Sequence, residues 1–416
     1  VAFFYENSRL RCGSPRGTGS GLSADVEEIA RARGTPAYIY DLDAIRERYR
    51  ALAASTGKLK ASVHYAVKAN PNAAVVGALV ELGAGADVVS AGEIAQAMAA
   101  GAQPERIIFS GVGKTEKEIA RALRLGVKQL NVESPAELAR IARLAKALGT
   151  AADVAFRMNP DVSPETHPYI TTGFRENKFG MDESFLPELV EIVRAAGSAL
   201  RLRGLTLHIG SQLLELASLS EAIVKTREVF TGLRALGFPL DRFDVGGGLG
   251  IDYETPDESR ELGLVASYGL MLERLLGDLG AEILLEPGRI LVGRAGILVG
   301  EVQYTKRAPA KTFAILDTGM HHLLRPALYQ ARHRVLPVRL DEGSATEAYD
   351  VVGPICESSD FLARDAKLPS LRSGDLLAIA DAGAYGRSMA SQYNAHQLPV
   401  EVAVSGGVAA TAERQL

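Results

Sequence analysis

The sequence predicts an α/β fold in which a (β/α)8 TIM barrel is joined to a C-terminal all-β domain completed by N-terminal strands. Three observations carry this reading. Eight short β-branched runs alternate with amphipathic helix patterns between residues 62 and 288, and about 250 residues is the usual size of such a barrel. Several of the helix patterns open on Ser or Thr and close on Gly, as helix caps do. Beyond residue 295 the composition shifts to short Val-rich runs separated by Gly and turn pairs, the signature of an all-β unit.

The eight runs are SVHYAVK (62–68), ADVVS (86–90), RIIFSG (106–111), QLNVES (129–134), DVAFRMN (153–159), GLTLHIG (204–210), RFDVGGG (242–248) and EILLEPG (282–288). Between them lie helix patterns such as AAVVGALVELG, AGEIAQAMAAG and SPAELARIARLAKALG. An open doubly wound sheet uses the same alternation and is the competing fold. In the last third, GILVGEVQYTKR, TFAILDTG, HRVLPVRL, AYDVVGP, DLLAIADAG and QLPVEVAVSGG read as strands. FFYENSRLRCG and PAYIYDL, near the N-terminus, read as strands without a barrel partner and are assigned to the same β unit. The expected division is therefore 43–294 for the barrel and 1–42 with 295–416 for the β domain. RCGSPRGTGSG (11–21) is expected to be mobile.

Composition narrows the function classes. The 416 residues are 47% hydrophobic and 23% charged, with a formal net charge of −4. No dense Lys/Arg tract offers a nucleic-acid surface, and no apolar run reaches the length of a membrane span. VAFFYENSRL lacks the basic start of a signal peptide. Two cysteines, Cys12 and Cys356, cannot build a disulfide framework and point to a reducing, cytoplasmic setting.

Barrel enzymes carry their chemistry at the C-terminal ends of the strands, and those ends are rich in polar groups here. Strand one ends at Lys68, and strand six in His208 and Ser211. Strand seven ends in Gly246, Gly247 and Gly248, and strand eight in Glu286, Gly288 and Arg289. Taken singly, each has a plainer reading: an ion-paired lysine, a core histidine, a tight turn, a local Glu–Arg pair. Taken together they meet the needs of pyridoxal phosphate. An aldehyde needs a lysine, a phosphate needs backbone donors, a flat ring needs a stacking partner, and a pyridine nitrogen needs an acid. A lysine at the mouth of an apolar strand must be paired, neutral or covalently used, because burying a lone ammonium is costly.

YAVKANPN, HIGSQ, DVGGGLGIDY, EPGR, GPICESSDFLA and AGAYGRSMASQYN resemble, in order and spacing, the diaminopimelate decarboxylase family of fold-type III pyridoxal phosphate enzymes, from about residue 3 to 405. The resemblance implies an alanine-racemase-like barrel, pyridoxal 5'-phosphate as cofactor, no metal, and conversion of meso-2,6-diaminopimelate to L-lysine and carbon dioxide, the last step of lysine biosynthesis. It implies Lys68 as the imine lysine, His208 stacked on the ring, and Glu286 at the ring nitrogen. Ser211, Gly247, Gly248 and the loop of Gly288 and Arg289 match the phosphate site. Arg289, Arg325 and Tyr329 match holders of the far carboxylate, and Glu357 the reader of the far ammonium. Tyr385 matches a contact to cofactor and substrate, and Cys356 the proton donor. It also implies a homodimer in which Cys356 and Glu357 reach the partner's site.

Competing readings share the cofactor residues and differ in the distal pocket: a fold-type III decarboxylase of D-lysine, D-ornithine or a polyamine precursor. A racemase would need a second base opposite Lys68, where CESSD offers a thiol. A silent homologue would lack the lysine or the cysteine. A barrel glycosidase would show a carboxylate pair at the strand ends.

Overall fold

The computed structural model describes residues 2–15, 21–162, 178–341 and 343–411. Its first barrel strand is Ala61–Ala66, followed by Gly85–Val88, Ile107–Phe109, Gln129–Val132, Ala152–Met158, Leu200–Leu207, Arg242–Asp244 and Glu282–Leu285. All eight pair in parallel and close on themselves, so the doubly wound alternative is excluded. Closure is made by Ile283, Leu284 and Leu285 of the last strand against Ala61, Ser62 and Val63 of the first.

Six of the eight barrel strands are shorter than the apolar runs suggest, and the difference matters for the site. The first strand stops at Ala66, and Lys68 lies in the following 3-10 turn, Val67–Ala69. The seventh stops at Asp244, which leaves the glycine run outside the ladder. The sixth begins earlier than residue 204, because Arg201 can point outward to Asp153 while Leu200 and Leu202 are buried. A register shift between Leu202 and Gly204 then resets the strand.

Helix ends follow the expected caps. Ser90, Thr115 and Ser134 accept the amides of Glu93, Glu118 and Glu137 respectively. Gly126 and Gly149 close their helices in the left-handed conformation, where a Cβ is unfavourable. Asp41 ends the strand Ala37–Asp41 and caps the helix Leu42–Ser55 by accepting from Asp43 N and Ala44 N. One residue thus turns the chain from the β sheet into the barrel layer.

That helix packs on the Glu258–Leu276 helix at a point where Gly269 is required. A Cβ on Gly269 would lie 2.1 Å from the carbonyl oxygen of Ser55, far inside van der Waals contact. Gly269→Ala is expected to push the helices apart and cost about 1–3 kcal/mol, as overpacking does. A fall in the urea midpoint without a change in slope would report it.

The second unit is a nine-stranded sheet. Its long strand, Gly296–Arg307, pairs with Ala37–Asp41 on one side and Leu376–Ile379 on the other, then with Thr312–Leu316. Ala37–Asp41 also runs parallel to Val400–Ser405, so PAYIYDL does join the β unit. The N-terminal hairpin instead forms a separate three-stranded sheet, Phe3–Glu6, Arg9–Gly13 and Ser23–Asp25. It is tied to the β unit through a shared core of Leu10, Cys12, Ile29, Ile297 and Val402. Three described strands escape the sequence pattern, Ser23–Asp25, Phe361–Pro369 and Val408–Thr411, since they are short or carry little apolar periodicity. Residues 16–20 of the segment expected to be mobile lie outside the described residues.

Candidate active site

Lys68 opens onto a cavity of about 280 Å³ at the C-terminal mouth of the barrel. Its side chain is 39% exposed, so the ammonium faces the cavity and not the core. Lys68 Nζ donates to Asp87 Oδ2 at 2.8 Å, and Asp87 is fully buried. Burial alone would lower the lysine pKa. Asp87, then Tyr385 and Glu286, outweigh it and hold the pKa above the ordinary lysine value.

Beneath the cavity lies a layer of buried polar groups. Asn131 Nδ2 donates to Ser110 Oγ at 3.0 Å, to Glu286 Oε1 at 3.3 Å and to Asp244 Oδ2 at 3.5 Å. Gln129 in turn donates to Asn131 Oδ1 at 2.8 Å. Burial, then the charges of Asp244 and Asp87, push the Glu286 carboxyl well above its usual range. Burial pushes Asp244 up to about 6. Three buried carboxyl groups therefore share one ammonium, and a cationic group beside Glu286 would restore the balance.

Next to Glu286, where a Cβ on Gly247 would lie 2.2 Å from the Glu286 carbonyl oxygen, the chain supplies donors. Gly248 takes φ +109°, and a Cβ there would meet Gly210 O at 2.7 Å. Among the described residues, the amides of Gly247 and Gly248 donate to no backbone carbonyl. Arg289 Nη2 donates to Ser211 Oγ at 3.1 Å and Nη1 to Tyr253 Oη at 2.8 Å. The plainer reading of Arg289, a local pair with Glu286, is not seen among the described residues. His208 is half-buried on the cavity wall. Burial, then Arg157 and Lys68, depress its pKa well below the usual histidine range, so the ring is neutral.

Of the residues expected from sequence, the cavity gathers Lys68, His208, Ser211, Gly247 and Gly248 from the barrel strands' ends. Glu286, Gly288, Arg289, Tyr329 and Tyr385 complete that set. Arg325 stands just behind it, its guanidinium 4.3 Å over the Tyr253 ring. Cys356 and Glu357 are not on this wall. Both are exposed on the 353–360 loop between Thr346–Val352 and Phe361–Pro369.

Sequence reasoning passed over Asp87, Asn131, Arg157, Asp244, Tyr253 and His333. Arg157 lines the cavity and is held by Glu133 Oε1 at 2.8 Å. A usable signal existed for the barrel-facing set. Gln129, Asn131 and Glu133 occupy alternate positions of one short run, which puts three polar side chains on one face. Asp87 and Asp244 interrupt apolar runs that are otherwise buried.

The residues present fit pyridoxal phosphate: an amine at Lys68, amides at Gly247 and Gly248 that donate to no backbone carbonyl among the described residues, a neutral ring at His208 and a carboxyl surplus at Glu286. These features define the barrel class of pyridoxal-dependent decarboxylases, and residues 42–293 match that family's pyridoxal binding domain. The diaminopimelate decarboxylase of Vibrio cholerae serotype O1 is 43% identical over 385 residues, covering 92% of this chain and 90% of that one. The crystal structure of diaminopimelate decarboxylase from Helicobacter pylori complexed with L-lysine superposes with TM-score 0.88 at 40% identity, over 93% of this chain and 96% of that one. Lysine decarboxylase from Selenomonas ruminantium gives TM-score 0.78 at 26% identity, over 91% and 94%. The chain belongs to the diaminopimelate decarboxylase family.

Proposed function

We propose that the protein decarboxylates meso-2,6-diaminopimelate at its D-centre to L-lysine and carbon dioxide, the last step of lysine biosynthesis. The observation that carries the substrate is a pair of buried guanidiniums. Arg289 and Arg325 are 6% and 5% exposed, and among the described residues neither has a carboxylate partner, while the Nε of each is unpartnered. A buried cation without a counter-ion is unstable unless a ligand supplies one. The far carboxylate of diaminopimelate has the planar, bidentate geometry that arginine matches.

In this reading Lys68 anchors the cofactor covalently, His208 lies flat against its ring, and Glu286 faces its ring nitrogen. Ser211, Gly247, Gly248, Gly288 and Arg289 receive the phosphate. When bound, pyridoxal phosphate supplies an electron sink for the bond to the departing carboxylate. Tyr385 closes the cavity beside Lys68. Arg289, Arg325 and Tyr329 hold the far carboxylate and Glu357 the far ammonium. Cys356 holds the proton that replaces carbon dioxide. Residues 43–294 then form the cofactor-holding unit, and residues 1–42 with 295–416 form the unit that presents Arg325, Cys356 and Glu357.

The exposure of Cys356 and Glu357 supports a homodimer in which each loop completes the partner's site. The two unpaired thiols, Cys12 and Cys356, support a cytoplasmic setting. Carbon dioxide release by purified protein tests the substrate. Release from meso-diaminopimelate is expected to exceed that from D-lysine or L-ornithine by at least about 10³-fold in kcat/KM, because those amines leave the buried Arg325 guanidinium without an anionic partner. Equal release from D-lysine would overturn the reading.

A further inference from the structure

We propose that His333 is a specificity-determining positioning residue: a neutral acceptor that fixes Arg325 while leaving its positive charge free for an anionic ligand. The inference rests on the reading of Arg325 given above.

His333 is 5% exposed and makes two short contacts. Its Nδ1 lies 2.8 Å from Ala380 O, and a carbonyl can only accept, so Nδ1 carries the proton. Its Nε2 lies 2.8 Å from Arg325 Nη1, and a guanidinium can only donate, so Nε2 is the acceptor. The backbone thus selects the tautomer that Arg325 needs. The imidazole also meets the Tyr253 ring edge-on, at 5.2 Å between centroids. That same tyrosine lies under Arg325 and accepts from Arg289.

Three other arginines with little exposed side chain show what this arrangement avoids. Arg48 pairs with Glu261 at 3.1 Å, Arg157 with Glu133 at 2.8 Å, and Arg294 with Glu261 and Asp381 at 2.6 and 2.9 Å. Each is neutralised within the chain. Arg325 is held instead by an imidazole and an aromatic face, neither of which cancels its charge. A carboxylate at position 333 would hold the guanidinium equally well and compete with the substrate for it. Burial, then Arg325 and the other nearby guanidiniums, keeps the imidazole itself uncharged.

The test compares His333→Gln with His333→Glu, side chains of one shape that differ in charge. Steady-state KM and kcat on meso-diaminopimelate are measured with D-lysine as a second substrate, and calorimetry gives the binding of meso-diaminopimelate to borohydride-reduced holoenzyme. H333Q is expected to keep KM and binding within about threefold of the parent. H333E is expected to weaken both by roughly tenfold or more, the scale of a charge-assisted hydrogen bond, and to narrow discrimination against D-lysine. If H333E does not accumulate folded, H333F, which lacks the acceptor, takes its place with the same expectation against H333Q. Equal KM and equal discrimination in H333Q and its comparator would overturn the inference. Arg325→Met, run in parallel, separates the two levels. An unchanged KM in R325M overturns the reading of Arg325 and the inference with it. A raised KM in R325M with H333Q and its comparator alike overturns the inference alone.

Discussion

Lys68→Ala is expected to reduce turnover by on the order of 10⁴-fold, because one side chain provides both the covalent anchor and a positioned acid–base group. Borohydride reduction and peptide mapping should find the cofactor on Lys68 of the parent and on no lysine of the variant. The ion pair with Asp87 complicates a simple deletion. Asp87 is fully buried, and its Oδ1 has no hydrogen-bond partner among the described residues. Among the described residues, removing Lys68 leaves that carboxylate without a hydrogen-bond donor. Breaking a wholly buried pair costs about 3–5 kcal/mol, and the 39% exposure of the Lys68 side chain reduces that figure. Lys68→Arg separates the two effects. A guanidinium retains the charge opposite Asp87 and cannot form the covalent link. Stability near that of the parent with activity as low as in K68A would assign the loss to chemistry. Substantial turnover in K68R, or cofactor recovered on another lysine, would end the assignment of Lys68 as the anchor.

What could be read from the sequence followed from periodicity. Eight alternating runs set the barrel, and the ends of the first, sixth, seventh and eighth runs carry Lys68, His208, Gly248 and Glu286 to one cavity. The strand limits were less legible because the residues beyond each ladder are as apolar as those within it. SVHYAVK continues unbroken to Lys68, yet pairing stops at Ala66, where the amide turns to Pro287 O. The partners of the site residues were the least visible. Asp87 and Lys68 are nineteen positions apart, and Arg325 meets His333 through a turn that no periodicity marks. Asp244 and Glu286 come from adjacent strands, and their mutual effect depends on burial, which a sequence does not state. Motifs name the groups that touch a ligand. The groups that tune them come from other elements of the fold and carry no pattern of their own.

Cys356→Ala is expected to lower turnover by about 10²–10⁴-fold, the range of a lost positioned acid, and mixing it with Lys68→Ala should restore part of the loss. The 353–360 loop is built to present its tip. Asp360, 4% exposed, accepts the amides of Met320 at 2.6 Å and Ile355 at 2.7 Å. A Cβ on Gly353 would lie 2.4 Å from Gly319 Cα, so the base of the loop is packed without slack. Tyr393 Oη donates to Glu357 Oε1 at 2.9 Å. A loop this firmly held, with Cys356 and Glu357 exposed and outside its own chain's cavity, is suited to a site on a second copy. In a dimer related by a two-fold axis, each loop then reaches the other subunit. Equal mixing of K68A and C356A subunits gives heterodimers as about half of the population, each with one intact site of two, so roughly a quarter of parental activity returns. The measurement is carbon dioxide release before and after subunit exchange, with exchange followed by native mass spectrometry on subunits of distinguishable mass. Confirmed heterodimers without recovered activity would place Cys356 in the site of its own chain and overturn the shared-site reading.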